Sequence, residues 1–148
     1  MQATSMVNAT ASGRASAGLS DAVDLAARLA LAAIFIWSGA DKLFFHATQT
    51  AGYMAAYHVP FASALVYPVG LVEFAGGILL AVGYRTKAAS VALALFTVAA
   101  TVVFHNFWAV PADQALMQSI HFMKNLAILG GLLHVIAYGT GRLALQRS

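Results

Sequence analysis

The sequence predicts an all-α integral membrane protein whose fold is a bundle of four transmembrane helices. The chain of 148 residues is 61% hydrophobic and only 9% charged, and its mean hydropathy is +0.78, so it is more apolar than a soluble domain. Four segments also reach the roughly 20 apolar residues that a helix needs to cross a bilayer core of about 30 Å. The length therefore accommodates four spans with short connections and no separate soluble domain.

The chain begins with a segment, residues 1–23, that is predicted to be a disordered N-terminal tail. Its residues are mainly Ala, Ser, Thr and Gly, which bury too little apolar surface to offset the entropy of ordering. The transmembrane domain then covers residues 24–148, with spans predicted at about 24–45, 61–82, 87–104 and 119–138.

The connections between the spans predict the orientation of the bundle. The connection between the second and third spans is short and basic, whereas the other two are longer and nearly free of Lys and Arg. The side of the membrane that carries the short connection also carries most of the basic residues, namely Arg14, Arg28, Arg85, Lys87, Arg142 and Arg147. The positive-inside rule places that side, with both termini, in the cytoplasm.

Aromatic residues in the two longer connections suit the outer membrane interface, namely Tyr53, Tyr57, Phe107 and Trp108. Tyr53 and Tyr57 are four residues apart, which is the spacing of neighbours on one helix face. The segment 50–57 is therefore predicted to form a short interfacial helix.

Each predicted span places its polar residues on the same face as its small ones. In lipid, small residues mark the faces where helices approach closely, so these faces are expected to meet inside the bundle. Larger residues such as Leu93, Phe96 and Val103 are then expected to face lipid. The inward faces are Arg28, Ala32, Phe35, Gly39 and Lys42; Gly70, Glu73 and Gly77; Ser90, Ala94, Thr97, Thr101 and His105; and His121, Lys124, Ala127 and Gly131.

Glu73 is the most informative single residue, because it lies roughly 18 Å along its helix from the outer end, near mid-bilayer. A charge at that depth costs roughly 3 kcal/mol, which favours a partner, a protonated form or access to water. The candidate partners are Lys124 of the fourth span and Arg28 of the first. Two interpretations stay open: an ion pair that fixes helix register, and a carboxyl group that lines a cavity for a ligand or for protons.

The histidines divide into two groups. His105 ends the third span and His121 begins the fourth, so they are expected to be neighbours at similar depth, where two imidazoles can hold a b-type haem or a metal ion. His134 has no histidine at its own depth with which to hold a second haem, so no metal site is predicted and haem b is disfavoured. His46, His58 and His134 are interpreted as interfacial histidines. His121 and Lys124 share a face that can donate hydrogen bonds to a quinone carbonyl or an anion.

Several classes of function are disfavoured by what the sequence lacks. The chain has no cysteine, and its net charge of +3 comes from scattered residues, so thiolate metal sites and nucleic acid binding are not expected. Phosphate-binding loops and hydrolase motifs are also missing. The chain is therefore not expected to be a self-sufficient enzyme, and any redox cofactor is expected either to be held by groups other than cysteine or to lie on a partner.

The strings "RLALAAIFIWSGADKL", "YMAAYHVP", "LVEFAGGILLAVGYRTKAAS", "FHNFW" and "HFMKNLAILGGLL" occur in this order. Together they resemble the DoxX family of small four-helix bacterial membrane proteins, over about Leu25 to Leu133. The resemblance implies a multi-pass protein of the bacterial inner membrane. The family is named after the membrane part of a thiosulfate:quinone oxidoreductase, so it also implies a quinone cofactor and a redox partner protein.

On this interpretation the protein is the membrane subunit of a quinone-dependent oxidoreductase, with a polar pocket in the outer half of the bundle. Glu73 would relay a proton as Lys124 and His121 polarise the quinone carbonyls. The ligand-binding residues would be Arg28, Ser38, Lys42, His105 and Asn125.

Two other functions remain open. The first is a non-catalytic membrane scaffold or assembly partner, in which the polar faces only hold the helices together. The second is a carrier of a small solute or of protons, which the short chain disfavours unless it forms a homo-oligomer. With either function the chain is surrounded by the lipid bilayer.

Overall fold

The computed structural model describes residues 2–146, with side chains described from Gly18 onward, and it confirms the all-α fold. No β-strand occurs within that range. The helices are α1 (Gln2–Ala40), α2 (Ala47–Ala56), α3 (Ala62–Val82), α4 (Thr86–Phe104) and α5 (Ala112–Tyr138), and a π-helical turn, Asp41–Phe45, follows α1.

Three of these helices, α3, α4 and α5, are long and apolar enough to cross a membrane. The predicted first span corresponds to the second half of α1 and the π-helical turn, and this part packs against α3. Large apolar side chains such as Leu71, Leu95 and Leu126 are exposed on α3, α4 and α5. Such an outer surface suits contact with lipid, so the chain forms a helical membrane bundle.

The predicted tail falls mostly on residues whose side chains lie outside the described part of the chain. That prediction therefore stays untested for residues 1–17. Residues 18–23 continue α1 as helix. The predicted short helix around Tyr53 and Tyr57 is present as α2, and the centroids of the two rings lie 4.9 Å apart.

Glycines allow α1 and α3 to approach each other closely. A Cβ atom on Gly39 would lie 2.4 Å from the backbone nitrogen of Phe74, and one on Gly77 would lie 2.8 Å from Cγ1 of Ile36. Because Gly39 meets the earlier part of α3 and Ile36 meets a later part, the two helices run antiparallel. Neither glycine can carry a side chain without moving the helices apart.

Leu93 corrects one prediction made from the sequence. It does not face lipid but is fully buried in the core with Leu80 and Leu132. A Cβ atom on Gly76 would lie 2.9 Å from Cδ2 of Leu93, so the missing side chain leaves the space that the leucine fills. Phe96 packs partly buried against the same core, and Val103 is exposed but, like Phe96, lines a cavity within the bundle.

Three of the four predicted inward faces are confirmed, and the fourth is wrong at two of its four residues. On α1, α3 and α4 the predicted residues, from Arg28 to Thr101, are mostly buried. On α5, in contrast, Lys124 and Ala127 are exposed, and the buried residues are Leu132 and Val135. The reason is that α5 packs mainly on α4 and scarcely touches α1, so it is rotated away from the predicted contact.

The chain after α5 folds back over the end of the bundle that contains Arg28. The guanidinium of Arg28 donates hydrogen bonds to the carbonyl oxygens of Thr140, at 2.8 Å, and Leu143, at 2.6 Å. The backbone N–H groups of Leu145 and Gln146 donate to the carbonyl oxygens of Val82, the last residue of α3, and Gly83, which follows it. Arg28 therefore holds the C-terminal segment against α1.

Candidate functional site

A cavity of about 440 Å³ lies toward the end of the bundle that contains His105. Its walls are mainly apolar and come from α1, α2, α3, α4 and α5. Polar side chains interrupt these walls at a few points, namely Ser38, Lys42, Thr50, Tyr53, Glu73, Thr97, His105 and Asn125. An apolar cavity with a few convergent polar groups is the usual form of a site for a small molecule.

Three of these side chains form a compact group that we call the Ser38–Lys42–Glu73 cluster. The hydroxyl of Ser38 donates to Oε1 of Glu73 at 2.8 Å, and Nζ of Lys42 lies 2.9 Å from Oε2. Nζ of Lys42 also donates to Oγ of Ser38 at 2.6 Å. Glu73 is only 3% exposed, so the cluster supplies the hydrogen bonds and counter-charge that burial of a carboxylate requires.

The partner of Glu73 is therefore Lys42, and the two partners predicted from the sequence are wrong. Lys124 is exposed on α5, and Arg28 binds backbone carbonyls at the opposite end of the bundle. Lys42 follows Ser38 by four residues, so both side chains leave the same face of the chain as it enters the π-helical turn.

The backbone of α3 leaves room for the lysine. A Cβ atom on Gly70 would lie 3.1 Å from Cβ of Lys42, so the methylene stem of the lysine packs over this glycine. Glu73 lies about one helical turn after Gly70 in α3. The close approach of α1 and α3 thus brings the ammonium group to the carboxylate.

His105 and His121 are neighbours, as the sequence predicted. Their rings stack with centroids 5.0 Å apart and planes inclined by 24°. Nδ1 of His105 also lies 2.9 Å from Oε1 of Gln118, and Nε2 of Gln118 donates to the Tyr57 hydroxyl at 3.4 Å. His105 lines the cavity, whereas His121, Gln118 and Tyr57 are not among the residues that line it.

The stacked histidines do not form a larger ligand set. Within the described residues, no group of three or more His, Cys, Asp or Glu side chains is placed to hold a metal ion. The two rings present their faces to each other, whereas a metal ion is bound through nitrogen lone pairs that lie in the ring plane.

Asn125 joins α5 to α4 at the edge of the cavity. Its Nδ2 donates to Oγ1 of Thr101 at 2.9 Å, and the hydroxyls of Thr101 and Thr97 donate to backbone carbonyls one turn earlier in α4, at 2.6 and 2.7 Å. The threonine protons are thereby engaged within the protein. The Asn125 side chain is held in place by this chain of hydrogen bonds.

The prediction from the sequence missed four polar residues of this region, namely Thr50, Tyr53, Thr97 and Gln118. Tyr53 was assigned to the interfacial belt but lines the cavity, and burial together with the Tyr57 hydroxyl raises the pKa of Tyr53 to about 12. The sequence placed Thr97 on the inward face of its helix but not in the site, and its side chain lines the cavity. Gln118 lies three and seven residues before His121 and Asn125, and this helical spacing is the signal that could have identified it.

The eight predicted site residues fall in four places. The cavity brings together Ser38, Lys42, Glu73, His105 and Asn125. His121 packs behind His105, and Lys124 lies on the exposed surface of α5. Arg28 belongs to a separate cavity of about 540 Å³ between α1 and α5 at the other end of the bundle, where His134 and Tyr138 also lie.

Comparisons with known proteins place the chain among bacterial membrane proteins. A family model described as DoxX matches residues 23–106. Inner membrane protein YqjF of Escherichia coli K12 is 35% identical over 130 residues, which cover 87% of this chain and 93% of that protein. Inner membrane protein YphA of the same organism is 29% identical over 123 residues, which cover 83% of this chain and 87% of that protein.

A more distant similarity extends to yeast. The ER-derived vesicles protein ERV29 of Saccharomyces cerevisiae is 36% identical over 71 residues, which cover 48% of this chain and 23% of that protein. No solved structure matches the chain.

Proposed function

The chain belongs to the DoxX family and is a multi-pass inner-membrane protein, and from this premise we propose that it is the membrane subunit of a quinone-linked redox system. The observation that carries the proposal is the cavity of about 440 Å³, which has apolar walls, the Ser38–Lys42–Glu73 cluster on one side and His105 on another. A quinone ring needs this combination, because its body is apolar and its two oxygens accept hydrogen bonds.

The size and lining of the cavity support a ring-shaped apolar ligand. Cavities for small molecules commonly measure about 300–1,000 Å³. Aromatic side chains of Phe35, Phe96 and Phe104 contribute to the walls. These rings offer flat apolar surface against which another ring packs by offset or edge-to-face contact.

Lys42 is the group best placed to polarise one ring oxygen. An ammonium group has three N–H donors. In the cluster Nζ lies 2.9 Å from Oε2 of Glu73 and donates to Oγ of Ser38 at 2.6 Å, whereas its third contact, with the Ser38 carbonyl oxygen, is long at 3.4 Å and is the one that a ligand oxygen would replace. In this proposal Lys42 takes the role that the sequence suggested for Lys124, and Glu73 keeps its role as the group that exchanges a proton with the ligand through Lys42 and Ser38.

Electrons would be exchanged with a partner protein, because the chain itself has no cysteine with which to ligate an iron–sulfur cluster. The protein would thus contribute the quinone site and the membrane anchor, and the partner would contribute the electron-transfer centre. Co-purification in a gentle detergent, followed by identification of the bound proteins, would identify this partner.

The test is a purification with native lipid retained, followed by mass spectrometry for quinones and by titration with decylubiquinone. We expect a bound quinone in the wild-type protein, weaker decylubiquinone binding in Lys42→Met, and unchanged binding in the control Lys124→Met, which removes an exposed lysine. Absence of quinone from the wild-type preparation, together with no saturable binding, would refute the proposal.

A scaffold function is the second candidate, and the contacts that Ser38, Lys42 and Glu73 make with one another favour it. If these residues only hold α1 to α3, then Glu73→Gln lowers the thermal stability, and any associated redox activity follows the amount of protein. A variant that is fully stable but has lost quinone binding would exclude the scaffold as the whole function.

A further inference from the structure

We propose that His105 accepts a hydrogen bond from a hydroxyl of the reduced ligand, so that the cavity binds a quinol more tightly than the corresponding quinone, and that Gln118 is the positioning residue that sets this preference. The inference rests on the proposed function, since it concerns the same cavity. It names the redox form of the ligand and a residue that does not touch it.

The hydrogen bonds of Gln118 determine which nitrogen of His105 carries the proton. The amide oxygen of Gln118 lies 2.9 Å from Nδ1 of His105, and its amide nitrogen donates to the Tyr57 hydroxyl. With the amide of Gln118 placed so that its oxygen faces Nδ1 and its nitrogen faces Tyr57, Nδ1 of His105 is the donor, because an amide oxygen only accepts. In the neutral imidazole the other nitrogen, Nε2, is then a bare acceptor.

The surroundings hold the ring and its partner in this arrangement. Tyr57 packs against Tyr53, with centroids 4.9 Å apart, and against Phe104, with centroids 5.3 Å apart. Its hydroxyl is therefore fixed where the Gln118 amide meets it. His121 stacks on the ring of His105 at 5.0 Å, which opposes rotation of the imidazole.

His105 lines the cavity, but Gln118 does not. With Nδ1 engaged behind the wall, Nε2 is the ring nitrogen that is left for a ligand. A group that binds a bare nitrogen must donate a proton in a hydrogen bond. The carbonyl oxygen of a quinone has no proton to donate, whereas the phenolic hydroxyl of a quinol does.

The opposite side of the cavity makes no such distinction. The Ser38–Lys42–Glu73 cluster offers N–H donors on Lys42 and acceptor oxygens on Glu73 and Ser38. It can therefore meet either a carbonyl or a hydroxyl. Discrimination between the two redox forms falls to His105.

The first test reads the tautomer directly and needs no ligand. In protein labelled with ¹⁵N-histidine in lipid nanodiscs, the His105 signal is assigned by its loss in His105→Asn. We expect a protonated Nδ1 and a bare Nε2 in the wild type and in the control Gln114→Leu, which changes an exposed glutamine one turn earlier. A proton on Nε2 instead would overturn the inference.

The second test compares anaerobic titrations with decylubiquinol and decylubiquinone. We expect the wild type to bind the quinol roughly tenfold more tightly, the size of one well-formed hydrogen bond against an unsatisfied one. Gln118→Leu should lose this preference, and Gln118→Glu, which keeps an acceptor for Nδ1, should retain it. The melting temperatures of both variants show whether the fold has survived.

The outcomes separate the two proposals. Equal binding of quinol and quinone by the wild type, or an undiminished preference in a folded Gln118→Leu, overturns the role of His105 and Gln118 and leaves the quinone site standing. Failure of both compounds to bind overturns the quinone site itself. The tautomer measurement tests which nitrogen of His105 carries the proton, whatever the result of the binding titrations.

Discussion

At the scale of single residues, Lys42 determines whether Glu73 can stay buried. The carboxylate side chain is 4% exposed and its lysine partner 18% exposed, so little water reaches the carboxylate. Burial of a charge is costly unless an opposite charge and hydrogen bonds replace the lost water. The hydroxyl of Ser38 and the ammonium of Lys42 both serve this purpose.

Removal of the ammonium group should therefore destabilise the protein. We expect Lys42→Met to lower the free energy of unfolding by about 3 kcal/mol or more, because it leaves the Glu73 carboxylate without a counter-charge. The double variant Lys42→Met, Glu73→Gln should regain much of this loss, since it removes the unpaired charge. Thermal unfolding in nanodiscs measures both, and a Lys42→Met variant as stable as the wild type would contradict the pairing.

At the scale of the elements, the contact between α1 and α3 is the one that assembles the cluster. Gly39 lies between Ser38 and Lys42 in the chain, and it packs directly on the backbone of α3 at Phe74. The same contact sets how far Lys42 must reach to Glu73. Helix association in membranes depends on such small residues because they allow backbones to approach closely.

Gly39→Ala tests this contact. The added methyl group would lie 2.4 Å from a backbone nitrogen, which cannot move like a flexible side chain, so we expect a loss of about 1–3 kcal/mol. Gly130→Ala on α5 is the matched control, because nothing lies within 4 Å of its added methyl group, and it should be neutral or slightly stabilising. Similar melting temperatures for the two variants would argue against close packing at Gly39.

At the scale of the whole molecule, the bundle has two different ends. One end carries the cavity with His105 and Glu73, and the other carries Arg28 and the C-terminal segment that it binds. The distribution of Lys and Arg predicts that the Arg28 end faces the cytoplasm. The proposed quinone site would then lie in the outer half of the membrane.

Labelling of introduced cysteines tests this orientation, and the absence of native cysteine removes any background. We expect Gln49→Cys, near the cavity end, to react with a membrane-impermeant maleimide in spheroplasts with an intact inner membrane. Arg142→Cys, at the Arg28 end, should react only after the membrane is opened. The reverse pattern would place the proposed site in the inner half.

Much of the site could be predicted from the sequence, because helical periodicity is a local property. The spacing of polar and small residues identified the buried faces of α1, α3 and α4, and five of the eight candidate residues line one cavity. The face of α5 was predicted wrongly, since its rotation depends on which neighbour it packs against. The roles of Gln118 and Tyr53 were missed because each contacts residues far away in the chain.

The sequence by itself determined the class of the protein: an all-α membrane bundle, since apolar length and helical spacing are read along one chain. Only the tertiary structure decided that Glu73 pairs with Lys42, that Lys124 remains exposed and that Gln118 supports His105. These pairings depend on how closely helices approach and how each is rotated about its axis. Both quantities result from side chains of separate helices packing together, so no single segment specifies them.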